Sequence, residues 1–490
     1  MLREANAKSP AIREPTPEAT MFDFDRVIER RNTHAAKWDN IARLSGIEAP
    51  DAIAMWVADM DFAAPPGVTA ALTAEIERAT HGYYADTGSW AAALVDWMAR
   101  RHGLQVDPGW VSQTPGIVSG LGLILQAVSA PGDEVVVFPP AYHAFRRIIT
   151  ANDRRILDAQ LVETQGRYAM DLDALRGKLS PRAKVVFLCS PHNPGGTVWS
   201  AQELRALAGF CAEHGLILVS DEIHCDLVFD GKHTPTLTAA PEIADRLITC
   251  VAATKTFNLA GAHVGACITS NPELKRRRDA RIQASGRGSY NGFGMIATEA
   301  AWRTGEAWLD ALLPYLARSR DLFHARIEAA VPGARAMALA STYLAWVDFS
   351  ATGLTPKRLP TGSKPRAHFR KSRRAVRAGR RQLASFQLCH ARSDPRGSPR
   401  ANGGCFRGFA RRAEELRTVF ADGLRPRMSA RCLALRADRR PRPAAIVLKW
   451  PPRCRRRSTL AANDRIWGWS RQWAAHTAHS LRACRSARRP

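Results

Sequence analysis

No run of the 490 residues approaches the roughly 18 consecutive apolar positions that a membrane helix requires. Met1–Thr20 is polar, contains Pro10, Pro15 and Pro17, and has no apolar core, so this end is neither a signal peptide nor a membrane anchor. We read it as a disordered extension or an upstream mis-start, with Met21 as the true beginning. No C-x-x-C pair occurs, and no cluster of His, Cys and carboxylates has the spacing of metal ligands, so no metal is expected. Cys189, Cys211, Cys225, Cys250 and Cys267 lie in or beside apolar runs, as reduced core thiols of a cytoplasmic protein do. No internal repeat is evident.

Acidic residues are nearly missing from one stretch. The chain as a whole is formally +26, which by itself suggests nucleic acid or an anionic membrane as partner. Residues 357–490, however, hold 36 Lys and Arg, 32 of them Arg, against 6 Asp and Glu, a net of +30. What remains has 35 basic and 39 acidic residues, a net of −4. The basic character therefore belongs to the tail, and the rest is mildly acidic.

The chemistry sits in the remainder. Lys184–Cys189 (KVVFLC) and Leu216–Ser220 (LILVS) are short, nearly continuous apolar runs, the pattern of strands buried on both faces of a parallel sheet. Between them, Ser200 followed by Glu203 forms a capping-box signature and opens an amphipathic helix to His214, which completes a βαβ unit. Asn193 in SPHNPGG and Asp221 in VSDEIH then fall at carboxyl ends of strands, where open α/β sheets bind ligands. Downstream, Lys255 lies in VAATKTFN. A lysine that can form a Schiff base, an aspartate that can hold a ring nitrogen protonated and an asparagine that can bond a ring hydroxyl are what pyridoxal 5'-phosphate (PLP) chemistry requires. Upstream, the turn Thr114–Gly120 precedes the amphipathic run Leu121–Val128, so its N–H groups would open a helix and can hold a phosphate. Tyr142 follows the strand Glu134–Phe138 and could stack on a pyridine ring.

From Met21 to about Thr355 the chain resembles fold-type-I PLP enzymes of the class I/II aminotransferase type, and among them the MalY/PatB cystathionine β-lyase subgroup. The similar stretches are Met21–Asp25, Trp56–Phe62, His81–Tyr83, Thr254–Asn258, Ser341–Trp346 and the Asn193 and Asp221 motifs. The resemblance implies an α/β fold: a large domain with a mainly parallel central sheet flanked by helices, and an incomplete small α/β domain. It implies domain bounds of 21–70 for an N-terminal small-domain and dimer segment, 71–310 for the large domain and 311–356 for the start of the C-terminal small domain. By the same resemblance Lys255 is the Schiff-base lysine, Asp221 the pyridinium partner, Asn193 the ligand of the ring hydroxyl and Tyr142 the stacking ring. Ile117 and Val118 would give phosphate-binding amides, and Tyr83 would reach the phosphate of the partner subunit in a homodimer.

Two departures bear on the reaction. Ala252 stands where many relatives place a phosphate-binding serine, which leaves more of that work to Thr254 and backbone groups. His263 stands where typical aminotransferases carry a phosphate-binding arginine; losing a bidentate clamp is not a conservative change and fits the lyases. The expected reaction is α,β-elimination from a small sulfur-containing amino acid such as cystathionine, giving thiol, pyruvate and ammonia, with Lys255 taking the Cα proton. An aminotransferase is the alternative, and a basic nucleic-acid-binding protein the remote one, since no specific nucleic-acid or membrane partner is expected. Residues 357–490 lack sustained periodicity and begin abruptly at Lys357, midway through the expected small domain. They read as an out-of-frame, disordered tail: permitted codons for Gln387–Phe409, re-read one base later, can spell a segment that begins with Asn and closes in an amphipathic helix, with an Arg-Phe available just before it from Ser385 and Phe386. No arginine of the chain as written is identifiable as the substrate-carboxylate ligand, so this chain is expected to be impaired or inactive through its tail beside a frame-corrected one.

Overall fold

The apolar runs become the interior strands of one sheet because successive side chains find apolar partners on both of its faces. The computed structural model describes residues 22–45, 52–286 and 289–352, together with the backbone of 383–387. In chain order the strands are β1 (Val111–Thr114), β2 (Glu134–Val137), β3 (Arg155–Asp158), β4 (Val162–Thr164), β5 (Arg167–Ala169), β6 (Ala183–Cys189), β7 (Ile217–Asp221), β8 (Leu247–Val251), β9 (Gly265–Ile268), β10 (Arg335–Ala336), β11 (Leu344–Asp348) and β12 (Leu383–Gln387). The main sheet has the order β1-β9-β8-β7-β6-β2-β3. Strands β3, β2, β6, β7 and β8 run parallel, and β9 pairs antiparallel with both β8 and β1.

Alternation along β2 and β6 explains the unbroken hydrophobicity of those runs. Val135, Val137, Val185 and Phe187 join Leu121, Ile124 and Phe145 on one face, whereas Val136, Val186 and Leu188 join Leu204, Leu207 and Phe210 on the other. The first group brings the helices Ile117–Val128 and His143–Ala151 onto the sheet, and the second brings Ala201–Glu213. Ser200 caps the last of these helices and forms the expected box with Glu203. Burying each such side chain contributes roughly 1.5–3 kcal/mol, enough in sum to fix the sheet against its helices.

A third cluster ties the N-terminal segment to the far end of the chain. Phe24 packs edge-on against Phe62 and Trp308, and Tyr315 Oη donates to Asp25 Oδ1 at 2.9 Å. Trp308 and Tyr315 belong to the helix Glu306–Ala330, which runs through the expected boundary at 310/311.

Strands β10, β11 and β12 form a second, antiparallel sheet. This corrects one expectation: residues 357–490 were read as a disordered tail, yet Leu383–Gln387 within them is a strand on one edge of β11, whose other edge is paired with β10 and whose five residues are buried. An open strand edge offers unpaired N–H and C=O groups that an extended segment can match through backbone bonds alone, without a side-chain pattern to announce it. The readings of Met1–Thr20 and of the rest of 357–490 lie outside the described residues. All described residues belong to one unit, 1–425, distinguished from 426–490. Among them, no helix is long and apolar enough to cross a membrane.

Candidate active site

Register brings the predicted residues together. Cys189 of β6 lies opposite Asp221 of β7, and Asp221 lies opposite Cys250 of β8, so the three strands end level with one another. Two backbone bonds lock those ends: Ser190 N–H to Asp221 O at 2.9 Å and Glu222 N–H to Cys250 O at 2.8 Å. Whatever follows each strand therefore emerges at the same sheet edge. From β6 comes the turn with Asn193, from β7 Asp221 itself, and from β8 the one-turn helix Ala253–Thr256 that carries Lys255.

Asp221 is 3% exposed, and its carboxyl is pushed up to about 7. Burial is the largest cause and the charge of Glu222 adds to it, while the Ile223 amide and the Lys255 ammonium pull the other way. A buried carboxylate with so few partners is poised to accept a cationic one. Lys255 Nζ donates to the Ala58 carbonyl at 2.6 Å. Burial lowers the pKa of its amine, against the attraction of Asp59 and Asp221, which raises the fraction present as free nucleophile. Tyr142, at the start of the helix His143–Ala151, has its phenol raised to about 12 by burial and then by the Asp221 charge. Its ring stands edge-on to Phe145, with centroids 5.7 Å apart. Asn193 is buried in a turn closed by His192 N–H to Thr197 O, 2.8 Å. The turn lies so close to Tyr168 that a Cβ on Gly195 would come within 2.4 Å of the ring.

The opposite end of the cradle is an amide-rich helix start. Gly116, with φ 78°, turns the chain from β1 into the helix Ile117–Val128, a conformation that strains other residues. The first i−4 acceptor is Gly116 O, taken by Gly120 N–H, so the amides of Ile117 and Val118 have no helical partner and remain available to an anion. Thr254 is buried on the lysine helix, and His263 Nδ1 lies 3.9 Å from where a Cβ on Gly116 would stand. Tyr83 is 95% exposed.

Among the buried side-chain polar atoms that lack a hydrogen-bond partner among the described residues, Thr114 Oγ1 lies by the Gly116–Gly120 turn and His224 Nδ1 belongs to a ring close enough to feel the Lys255 charge. Buried polar groups are seldom left unsatisfied, so both suit the edge of a polar ligand's site. A phosphate at the Gly116 turn and a protonated ring nitrogen at Asp221 match the donors and acceptors present, so these residues fit PLP.

A family model described as aminotransferase class I and II matches residues 57–373. Cystathionine beta-lyase PatB of Bacillus subtilis (strain 168) is 40% identical over 340 residues, which cover 69% of this chain and 87% of the relative. The chain belongs to the class I and II aminotransferase family. Within that family, protein MalY of Escherichia coli (strain K12) is 31% identical over 335 residues, 67% of this chain and 84% of MalY. Cystalysin from Treponema denticola, solved with pyridoxal 5'-phosphate, superposes with a TM-score of 0.75 at 26% identity, covering 82% of this chain and all of that one. The mainly parallel sheet flanked by helices is thus the fold-type-I arrangement this class I and II family uses.

Sequence reasoning missed several neighbours of Lys255. The segment Ala58–Phe62 lies across the lysine turn, pinned by Asn258, whose Oδ1 accepts from Met60 N–H at 3.0 Å and whose Nδ2 donates to Met60 O at 3.0 Å and Phe62 O at 2.8 Å. Beneath it, the buried Lys37 Nζ bonds Asp61 at 2.5 Å, and Arg30 spans Asp59 and Asp61. Both WVADMDF and KTFN were noticed as motifs, yet nothing in either string says that they touch. His102, Cys225 and Asp226 form a buried group with ligand atoms within 4.8 Å of one another. The Asp226 oxygens there already accept from Trp97 and Thr256 and face His102, which makes the group a hydrogen-bond network.

Proposed function

We propose that this chain is a PLP-dependent carbon–sulfur β-lyase that takes a small sulfur-containing amino acid such as cystathionine and releases thiol, pyruvate and ammonia. The observation that carries the proposal is the meeting of Lys255, Asp221 and Asn193 at adjoining strand ends, in a chain 40% identical to a cystathionine beta-lyase across 87% of that protein. Bound PLP supplies an electron sink that acidifies the Cα–H of an attached amino acid.

The protein's own contributions follow from where its groups stand. Lys255 Nζ would hold the cofactor covalently, and the same amine would be the base for the Cα proton. Burial lowers the pKa of this amine, a shift in the direction that both tasks need. Asp221 would keep a proton on the ring nitrogen, and the buried Asn193 amide would donate to the ring hydroxyl oxygen. Tyr142 would stack on the ring. The Ile117 and Val118 amides and the Thr254 hydroxyl would hold the phosphate.

The exposed ring of Tyr83 supports a role in a homodimer, where it would meet the partner subunit's cofactor phosphate. Five buried free thiols support a reducing, cytoplasmic setting. Elimination rather than amino transfer is favoured by His263, which lies beside the phosphate turn where an aminotransferase arginine is expected. We keep the division into large and small domains and the out-of-frame origin of 357–490 as parts of the same reading.

Product analysis tests it. Purified protein loaded with PLP should form pyruvate from cystathionine with no keto acid added. Conversion that proceeds only with an added keto acid, and yields a new amino acid instead of pyruvate, would replace the lyase by an aminotransferase.

A further inference from the structure

We propose that Asp226 is a positioning residue for Lys255, acting through the hydroxyl of Thr256. The proposal rests on the reading of Lys255 given above.

The lysine is carried by a helix of four residues, Ala253–Thr256, too short to hold its own shape in water. Its position must come from what grips it. On the outer side the grip is Asn258 on the Met60–Phe62 backbone. On the inner side Thr256 Oγ1 donates to Asp226 Oδ2 at 2.7 Å, and Thr256 is fully buried.

Asp226 is itself held from a third element. Trp97 Nε1 donates to its Oδ1 at 3.1 Å, and His102 Nε2 lies 2.7 Å from the same oxygen. Both come from the helix Gly88–His102. The Trp97 ring also stands edge-on against Phe257, with centroids 5.4 Å apart, so one helix braces the lysine turn by a hydrogen-bonded chain and by direct packing.

A buried carboxylate costs free energy that a smaller neutral residue would not, and the functional reading gives Asp226 no contact with cofactor or substrate. Its partners account for it. It converts a rigid helix into a fixed point one residue beyond Lys255. Proton transfer requires the amine within hydrogen-bond reach of the reacting carbon, and a misplacement of about 1 Å can cost roughly 100-fold in rate.

Thr256→Val removes the hydroxyl and keeps the shape. In the PLP-loaded full chain it should lower kcat by about 10- to 100-fold with little change in substrate KM, and Thr256→Ser should restore most of kcat. Growth of the visible absorption band when PLP is added to cofactor-stripped protein should slow in Thr256→Val and recover in Thr256→Ser. Asp226→Asn probes the same contact from its other side, and should show the same split of kcat from KM if Thr256→Val does not fold. Wild-type kcat and band growth in Thr256→Val, or failure of Thr256→Ser to rescue, would overturn the proposal. Borohydride reduction and peptide mapping of the wild-type holoenzyme separate this from the underlying assignment. A pyridoxyl label on another lysine overturns the Lys255 reading itself, whereas a label on Lys255 beside an unaffected Thr256→Val overturns only the role of Asp226.

Discussion

Replacing Asp221 by asparagine should stabilise the cofactor-free protein at alkaline pH while removing its catalytic power, and burial is the common cause. The carboxyl rises from 3.8 to about 7, chiefly through burial. A raised carboxyl pKa means that the folded chain binds the proton more tightly than the unfolded chain. The stability this contributes is fully present below about pH 4 and is lost as pH rises through 7. A difference of about three units corresponds to about 4 kcal/mol. Asparagine has nearly the same shape and no charge, so it escapes that loss. Urea unfolding of both cofactor-stripped proteins at pH 4 and pH 8 measures the effect as a difference of differences, in which the other titrating groups largely cancel. The advantage of Asp221→Asn should grow by up to about 4 kcal/mol between the two pH values. Turnover should fall by orders of magnitude even in variant protein saturated with PLP, because a neutral amide does not hold a proton on the ring nitrogen. An advantage of equal size at both pH values would refute the burial argument, and undiminished turnover would remove Asp221 from the site.

Further expectations concern the surroundings. Lys255→Ala should show neither the visible absorption band of the loaded enzyme nor turnover, read by spectrum and by pyruvate release. Asn258→Ala strips partners from Met60 N–H, Met60 O and Phe62 O, and should cost about 1–3 kcal/mol in urea unfolding with a further loss of kcat. Glu222 is fully buried between Ser220, Thr236 and His233; Glu222→Ala should cost about 1–3 kcal/mol by leaving buried donors such as Thr236 N–H without their acceptor, measurable as a lower unfolding midpoint. Sequencing the gene around codon 356 tests the tail: a single-base change there that reopens an Arg-Phe-Asn frame is expected, and a restored-frame protein should exceed this chain in turnover, whereas equal turnover would end that reading.

The interior of the main sheet was legible where β2, β6 and β7 are buried on both faces, which leaves an unmistakable run of apolar letters. Ser200 and Glu203 marked a helix start because a capping box is a local device. The placing of Lys255, Asp221 and Asn193 at one sheet edge was legible because strand ends in a parallel sheet gather there. What surrounds Lys255 was not, since it depends on contacts distant in sequence: Ala58 lies 197 residues from Lys255, and Asp226 meets Trp97 across 129. Those contacts are set by packing among Trp97, Phe257 and Trp308, of which the local strings carry no sign. The pairing of β12 with β11 was missed because backbone bonding at a strand edge needs no side-chain code.

The most direct test of the central claim is the product balance of wild-type protein and Lys255→Ala side by side, each supplied with PLP and cystathionine and no keto acid. The account predicts thiol and pyruvate in equal amounts from the wild type and neither from the variant. Thiol and pyruvate formed equally well by Lys255→Ala, or absent from a wild type that transfers the amino group instead, would contradict it.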